Sequence, residues 1–153
     1  MTKFLFVTLL ISCAASAARA EQSPYHNFLE REFPGEFHYL AQGGVQCMIQ
    51  RSQLSEVVRQ EFLRHKIKPV TVTPNQDYLY ARLECALQSA DPLVFAYRVG
   101  VRFIDSSAVQ PEAFYKEYSE LGVASDPEVV IQAFRKSVNS AILDYVEANL
   151  SQF

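Results

Sequence analysis

The chain has 153 residues, with 14 Lys and Arg against 17 Asp and Glu and a formal charge of −3, and 49% of its residues are hydrophobic. That length suits one domain with a sizeable core rather than two. The acidic balance argues against nucleic acid and anionic membrane surfaces as partners.

The first twenty residues have the three parts of a bacterial secretory signal. Lys3 supplies the charge, Phe4 to Ile11 is apolar but for Thr8, and Ala18-Arg19-Ala20 matches an A-x-A cleavage site. The apolar run falls short of the ~20 residues that span a bilayer. Residues 1–20 are therefore expected to be removed, leaving a periplasmic or secreted chain that starts near Glu21, with no transmembrane span. Losing Lys3 and Arg19 leaves 12 basic residues against 17 acidic ones, a charge of −5. Leu10-Ile11-Ser12-Cys13 also fits a loose lipobox, which gives the alternative of a product lipid-anchored through Cys13. Few residues precede that cysteine for a signal of this kind.

Residues 21–43 are expected to form an N-terminal arm, with a short helix in Tyr25–Phe33 ended by Pro34-Gly35. Residues 44–153 then make up the domain. In Val45–Gln50, Val45, Cys47 and Ile49 alternate, which predicts a short strand. Ser52 is a candidate N-cap, and Leu54, Val57, Val58 and Phe62 recur at helical spacing, so a helix is expected over 53–65. Arg64, His65 and Lys66 suit its C-terminal end. Val70 and Val72 lie between Pro69 and Pro74, which confines them to an edge strand. Tyr78–Leu87 and Leu93–Ile104 both alternate with period two and predict a hairpin with one buried face. Residues 112–119 read as a further strand, with a short helix as the alternative. Asp126 as cap, Pro127 at the first position and Glu128 in the first turn begin a long helix over 127–149. The expected fold is a single α+β domain: an antiparallel sheet of four to five strands with both helices packed on one face.

Outside the signal the chain has two cysteines, Cys47 and Cys85. In an oxidising compartment they have one connectivity, and their spacing favours a structural disulfide over a redox pair. The hairpin register follows from charge. Arg82 directly opposite Arg98 would place like charges together, whereas Glu84 opposite Arg98 and Tyr80 opposite Arg102 gives an ion pair and a cation–π contact.

No catalytic set is legible. The serines lack the G-x-S-x-G context of a nucleophile elbow, and Gly43-Gly44 does not extend to a phosphate-binding pattern. A two-His, one-carboxylate site can be drawn from His26 and His38 with Glu30, Glu32 or Glu36 between them, but the spacing matches no helix-face motif such as H-E-x-x-H. No metal and no cofactor are expected. The candidate site is a binding surface: Tyr78, Tyr80, Arg82, Arg98 and Arg102 on the polar face of the hairpin, residue types enriched at interaction hot spots. Tyr145, Val146, Leu150 and Phe153 near the C-terminus are read first as core packing of the last helix, with contact to a second subunit in a homo-oligomer as the alternative. The expected function is that of a non-enzymatic periplasmic or secreted binding or accessory protein of the bacterial envelope, whose partner is another envelope or secreted protein. The alternative is a small secreted hydrolase or enzyme inhibitor with its site on loops.

Overall fold

The computed structural model describes residues 24–88, 91–106 and 116–150. The expected signal segment and Cys13 lie outside these residues. A short helix α1 (Pro24–Leu29) leads into strand β1 (Glu36–Gly43), a 3₁₀ turn (Val45–Cys47) and helix α2 (Arg51–Arg64). Then come β2 (Lys68–Thr71), β3 (Tyr78–Gln88), β4 (Asp91–Ile104), β5 (Glu117–Ala124) and helix α3 (Pro127–Ala148). The five strands form one sheet in the order β2-β1-β3-β4-β5, and the fold is a single α+β domain.

The sheet is mixed, which corrects the expected antiparallel one. β1 runs parallel to both of its neighbours, β2 and β3, while β3–β4 and β4–β5 are antiparallel. For β1 and β2 the cause is the connection: β1-α2-β2 is a strand–helix–strand crossover, which returns the chain in the same direction, and after residues 72–77 β3 enters on the other side of β1, again parallel to it. The extent of the arm is corrected with it. Residues 36–43 are not outside the domain; they pair on both sides within the sheet and bury Phe37 and Ala41.

The strand expected over 45–50 is a 3₁₀ turn instead. Gly43 and Gly44 both take positive φ, 97° and 89°, and turn the chain out of the sheet. At Gly43 a side chain is also sterically excluded, because a Cβ would lie 1.8 Å from the Leu83 carbonyl oxygen. The alternation was partly real: Cys47 and Ile49 are buried, but Val45 is 83% exposed.

The other elements follow their local signals. α2 starts slightly earlier than expected, because Gln50 and Gln53 form a reciprocal capping box and Ser52 lies inside the helix. β2 is a four-residue edge strand, as its prolines require. β5 begins at Glu117, so it overlaps the expected 112–119 strand only at its end; residues 112–115 lie outside the described residues. α3 is capped by Asp126, whose side chain accepts from the Glu128 N–H at 2.9 Å. At ~1.5 Å per residue its 22 residues span about 33 Å.

The core lies between the sheet and the two helices. β3 and β4 contribute Leu79, Leu83, Phe95, Val99 and Val101, and α3 contributes Val130, Phe134, Val138 and Ile142, all with 1% exposure or less. Phe37, Phe62, Phe103 and Tyr145 form an aromatic cluster at one end, with Phe37 and Tyr145 ring centres 4.7 Å apart. Cys47 and Cys85 are disulfide-bonded, with Cα atoms 5.7 Å apart, and tie the 3₁₀ turn to β3. Cys47 is fully buried and Cys85 half-buried.

Polar side chains fasten α1 on the helix side. Asn149 is 1% exposed; its Oδ1 accepts from Arg31 N–H at 2.9 Å, and its Nδ2 donates to the carbonyls of Leu29 and Tyr145 at 3.0 and 2.8 Å. Tyr118 of β5 donates to the Asp144 carboxylate of α3 and sits 2.6 Å from the Tyr25 hydroxyl of α1. Lys116 also pairs with Asp144, at 2.5 Å. Among the described residues no helix is long and apolar enough to cross a membrane.

Candidate functional site

The face of the sheet opposite the helices carries the expected residues. Because strand side chains alternate, the even positions of β3 and β4 point away from the core. The antiparallel register then fixes a grid of three strands by three positions. Tyr80 stands opposite Arg102, which stands opposite Glu117. Arg82 stands opposite Gly100, which stands opposite Ser119. Glu84 stands opposite Arg98, which stands opposite Leu121. Gly100 occupies the centre and has no side chain, so the middle of the grid is hollow. The result is a shallow cavity of about 100 Å³ lined by Tyr80, Arg82, Glu84, Arg98, Gly100, Arg102 and Glu117.

Three guanidinium groups and two carboxylates meet there. Arg82 pairs with Glu84 of its own strand at 2.7 Å, and Arg98 pairs with Glu117 of β5 at 3.1 Å. The Arg102 guanidinium lies 5.2 Å from the centre of the Tyr80 ring. The side chains of Arg82 and Arg98 are each 54% exposed, so their pairs sit in water and hold loosely. A net positive lining on a chain of negative charge, beside a tyrosine face, can accept an anionic or aromatic group.

Four of the five expected residues line this cavity. Tyr78 does not; it is half-buried two positions further along β3, between His38 and Ile104. The expected register is present, and so is the Arg102–Tyr80 contact, but Arg98 takes Glu117 rather than Glu84 as its ion-pair partner. Sequence reasoning missed Glu117. Its signal was the alternation of Glu117, Ser119, Leu121 and Val123, which begins at the end of the segment 112–119, read as a strand with a short helix as the alternative.

From the Leu121 corner of the grid outward, the same face becomes apolar. Leu121 is 74% and Val123 59% exposed, and Ala96 lies directly opposite Val123. In the second expected surface, Tyr145 belongs to the core: it is fully buried and donates to the Pro34 carbonyl at 3.1 Å, while Val146 is half-buried. Leu150 is exposed, and Phe153 lies outside the described residues.

His38 and His65 are engaged structurally. His38 Nδ1 is 3.2 Å from the Thr71 carbonyl, and His65 Nε2 is 3.0 Å from the Asn139 side-chain oxygen. The His26 side chain lies outside the described residues. Among the described residues no three His, Cys, Asp or Glu side chains are grouped to hold a metal ion.

No protein-family model matches the chain, and no curated protein sequence matches it. Among solved structures it is similar to a minor lipoprotein from Acinetobacter baumannii, at 5% identity and a TM-score of 0.41, over 74% of this chain and 92% of that one. It is also similar to the rare lipoprotein B from Shewanella oneidensis, at 11% identity and a TM-score of 0.35, over 76% of this chain and 94% of that one. Neither likeness identifies a function.

Proposed function

We propose that this is an exported, non-enzymatic binding protein of the bacterial envelope, periplasmic or secreted, which docks an acidic or aromatic segment of another protein on the bare face of its sheet. Export rests on the signal-like residues 1–20, and anchoring through Cys13 is the alternative form of the same reading. The observation that carries the binding role is the hollow around Gly100, ringed by Arg82, Arg98, Arg102 and Tyr80 and left uncovered by both packed helices. Three arginines at the surface of an acidic chain make a local field of the opposite sign to the whole. A folded scaffold that needs only the other face for its core leaves this one free to vary for recognition.

The test compares the mature protein with an Arg82→Ala, Arg98→Ala, Arg102→Ala variant. The pairs removed are solvent-exposed, so the variant should stay folded, with stability changed by no more than about 1 kcal/mol per pair. An envelope protein retained by the wild type and lost by this variant supports the reading. Equal retention by both, with equal melting temperatures, refutes it.

A further inference from the structure

Glu117 is not where its register places it. Its backbone lies opposite Arg102, yet its carboxylate accepts from Arg98, whose backbone is four residues further along β4. Four strand residues span roughly 13 Å, so the two side chains must reach toward each other along the strand. They meet over Gly100. A Cβ built on Gly100 would lie 2.8 Å from Glu117 Oε1, so the carboxylate rests on bare backbone at the centre of the grid. The missing side chain at position 100 is what makes this seat.

From this we infer that the hollow is a carboxylate receptor in which Glu117 is a tethered stand-in, displaced when an acidic side chain of the partner takes its place. The inference rests on the docking role proposed above and names its ligand class. Three points of chemistry support it. The seat already holds a carboxylate, so its size and polarity suit one. The hold on Glu117 is weak, since the Arg98–Glu117 pair is solvent-exposed, with Arg98 54% and Glu117 33% accessible. An incoming carboxylate has Arg98 beside it and Arg82 directly across Gly100, and guanidinium groups bind carboxylates in a bidentate fork. Glu117 then acts as an internal competitor: it keeps the arginines paired in the unliganded protein and raises the threshold for any single stray anion.

The experiment titrates a tetraglutamate peptide into the mature protein and follows amide chemical shifts around Gly100. Glu117→Gln removes the competitor's charge and should bind the peptide about two- to fivefold more tightly, the range expected from losing one exposed pair. Glu120→Gln changes the net charge equally from the opposite face of β5, where Glu120 pairs with Lys136; it should leave the affinity unchanged. The triple arginine variant should lose binding. If the triple variant loses binding but Glu117→Gln does not gain, the stand-in role is wrong while the docking face stands. An equal gain with Glu120→Gln means bulk charge is responsible and also overturns the stand-in role. Peptide that binds the triple variant as well as the wild type, or binds neither, overturns the carboxylate receptor itself. Inorganic phosphate that displaces the peptide at a lower concentration than the peptide's own dissociation constant would assign the seat to phosphate instead.

Discussion

Arg102 stands directly opposite Tyr80 across the β3–β4 ladder, with its guanidinium carbon 5.2 Å from the centre of the tyrosine ring. The same register keeps Arg82 from standing opposite Arg98, where like charges would meet. A double-mutant cycle with Arg102→Ala and Tyr80→Ala should give a coupling of ~0.5–1 kcal/mol, the range for such contacts at exposed sites. Urea denaturation of the four proteins measures it. Strictly additive effects would show that the two side chains are neighbours without being partners.

The Cys47–Cys85 bond closes a loop across a sequence separation of 38 residues. The chain-entropy model gives about 4 kcal/mol for a loop of that length. Cys47→Ala with Cys85→Ala should therefore lower the unfolding free energy by ~2–5 kcal/mol. Free thiols at both positions in the non-reduced protein would contradict the bond itself.

Gly122 packs against Tyr97, and a Cβ at 122 would come within 2.5 Å of the tyrosine ring carbon Cζ and hydroxyl oxygen. Gly122→Ala should cost about 1–3 kcal/mol through overpacking. Tyr97→Leu in the same chain should recover part of that loss. A thermal melt in which Gly122→Ala is neutral would mean that Tyr97 swings aside freely.

Burial pushes the Tyr25 and Tyr145 hydroxyls up to about 12, and burial with the bond to Asp144 pushes Tyr118 higher still. In the unfolded chain these groups ionise near ~10. The folded state therefore keeps protons that the unfolded state gives up. The contribution of these groups is complete below about pH 10 and is lost as pH rises toward 12. Of the eight tyrosines, these three should ionise only as the protein unfolds. Phenolate absorbance and circular dichroism recorded together check this; eight tyrosines titrating in one step with the fold intact would be the contrary result.

Asn149 alone ties Arg31 N–H, the Leu29 carbonyl and the Tyr145 carbonyl in a buried position. Asn149→Ala removes the partner of all three, at ~1–3 kcal/mol for each buried group left unsatisfied. Limited proteolysis should then cut around α1 before it cuts the sheet. An unchanged cleavage pattern would show that Tyr25, Tyr118 and Asp144 suffice to hold α1 down.

Much of this molecule was legible in local pattern. The hairpin alternation, the Asp126-Pro127 start of α3 and the proline-bounded edge strand β2 all concern neighbours in the chain, where steric and hydrogen-bonding rules act over a few residues. The expected hairpin register is the one observed: it sets Glu84 opposite Arg98 and Tyr80 opposite Arg102 and keeps Arg82 and Arg98 apart. The single connectivity of Cys47 and Cys85 needed only counting. What required the tertiary structure were pairings between distant segments. Nothing near Glu36–Gly43 announces a strand held between β2 and β3, because both parallel partners come from segments further along the chain rather than across a local turn. The glycines of the chain look alike in sequence, yet Gly43 is a steric necessity against Leu83, whereas Gly100 is a hollow that becomes a seat only when Glu117 arrives from another strand. The alternation of side chains determined which residues face outward; the packing of both helices on one face decided that outward meant open, and the meeting of Arg98 with Glu117 over Gly100 decided what that surface can hold.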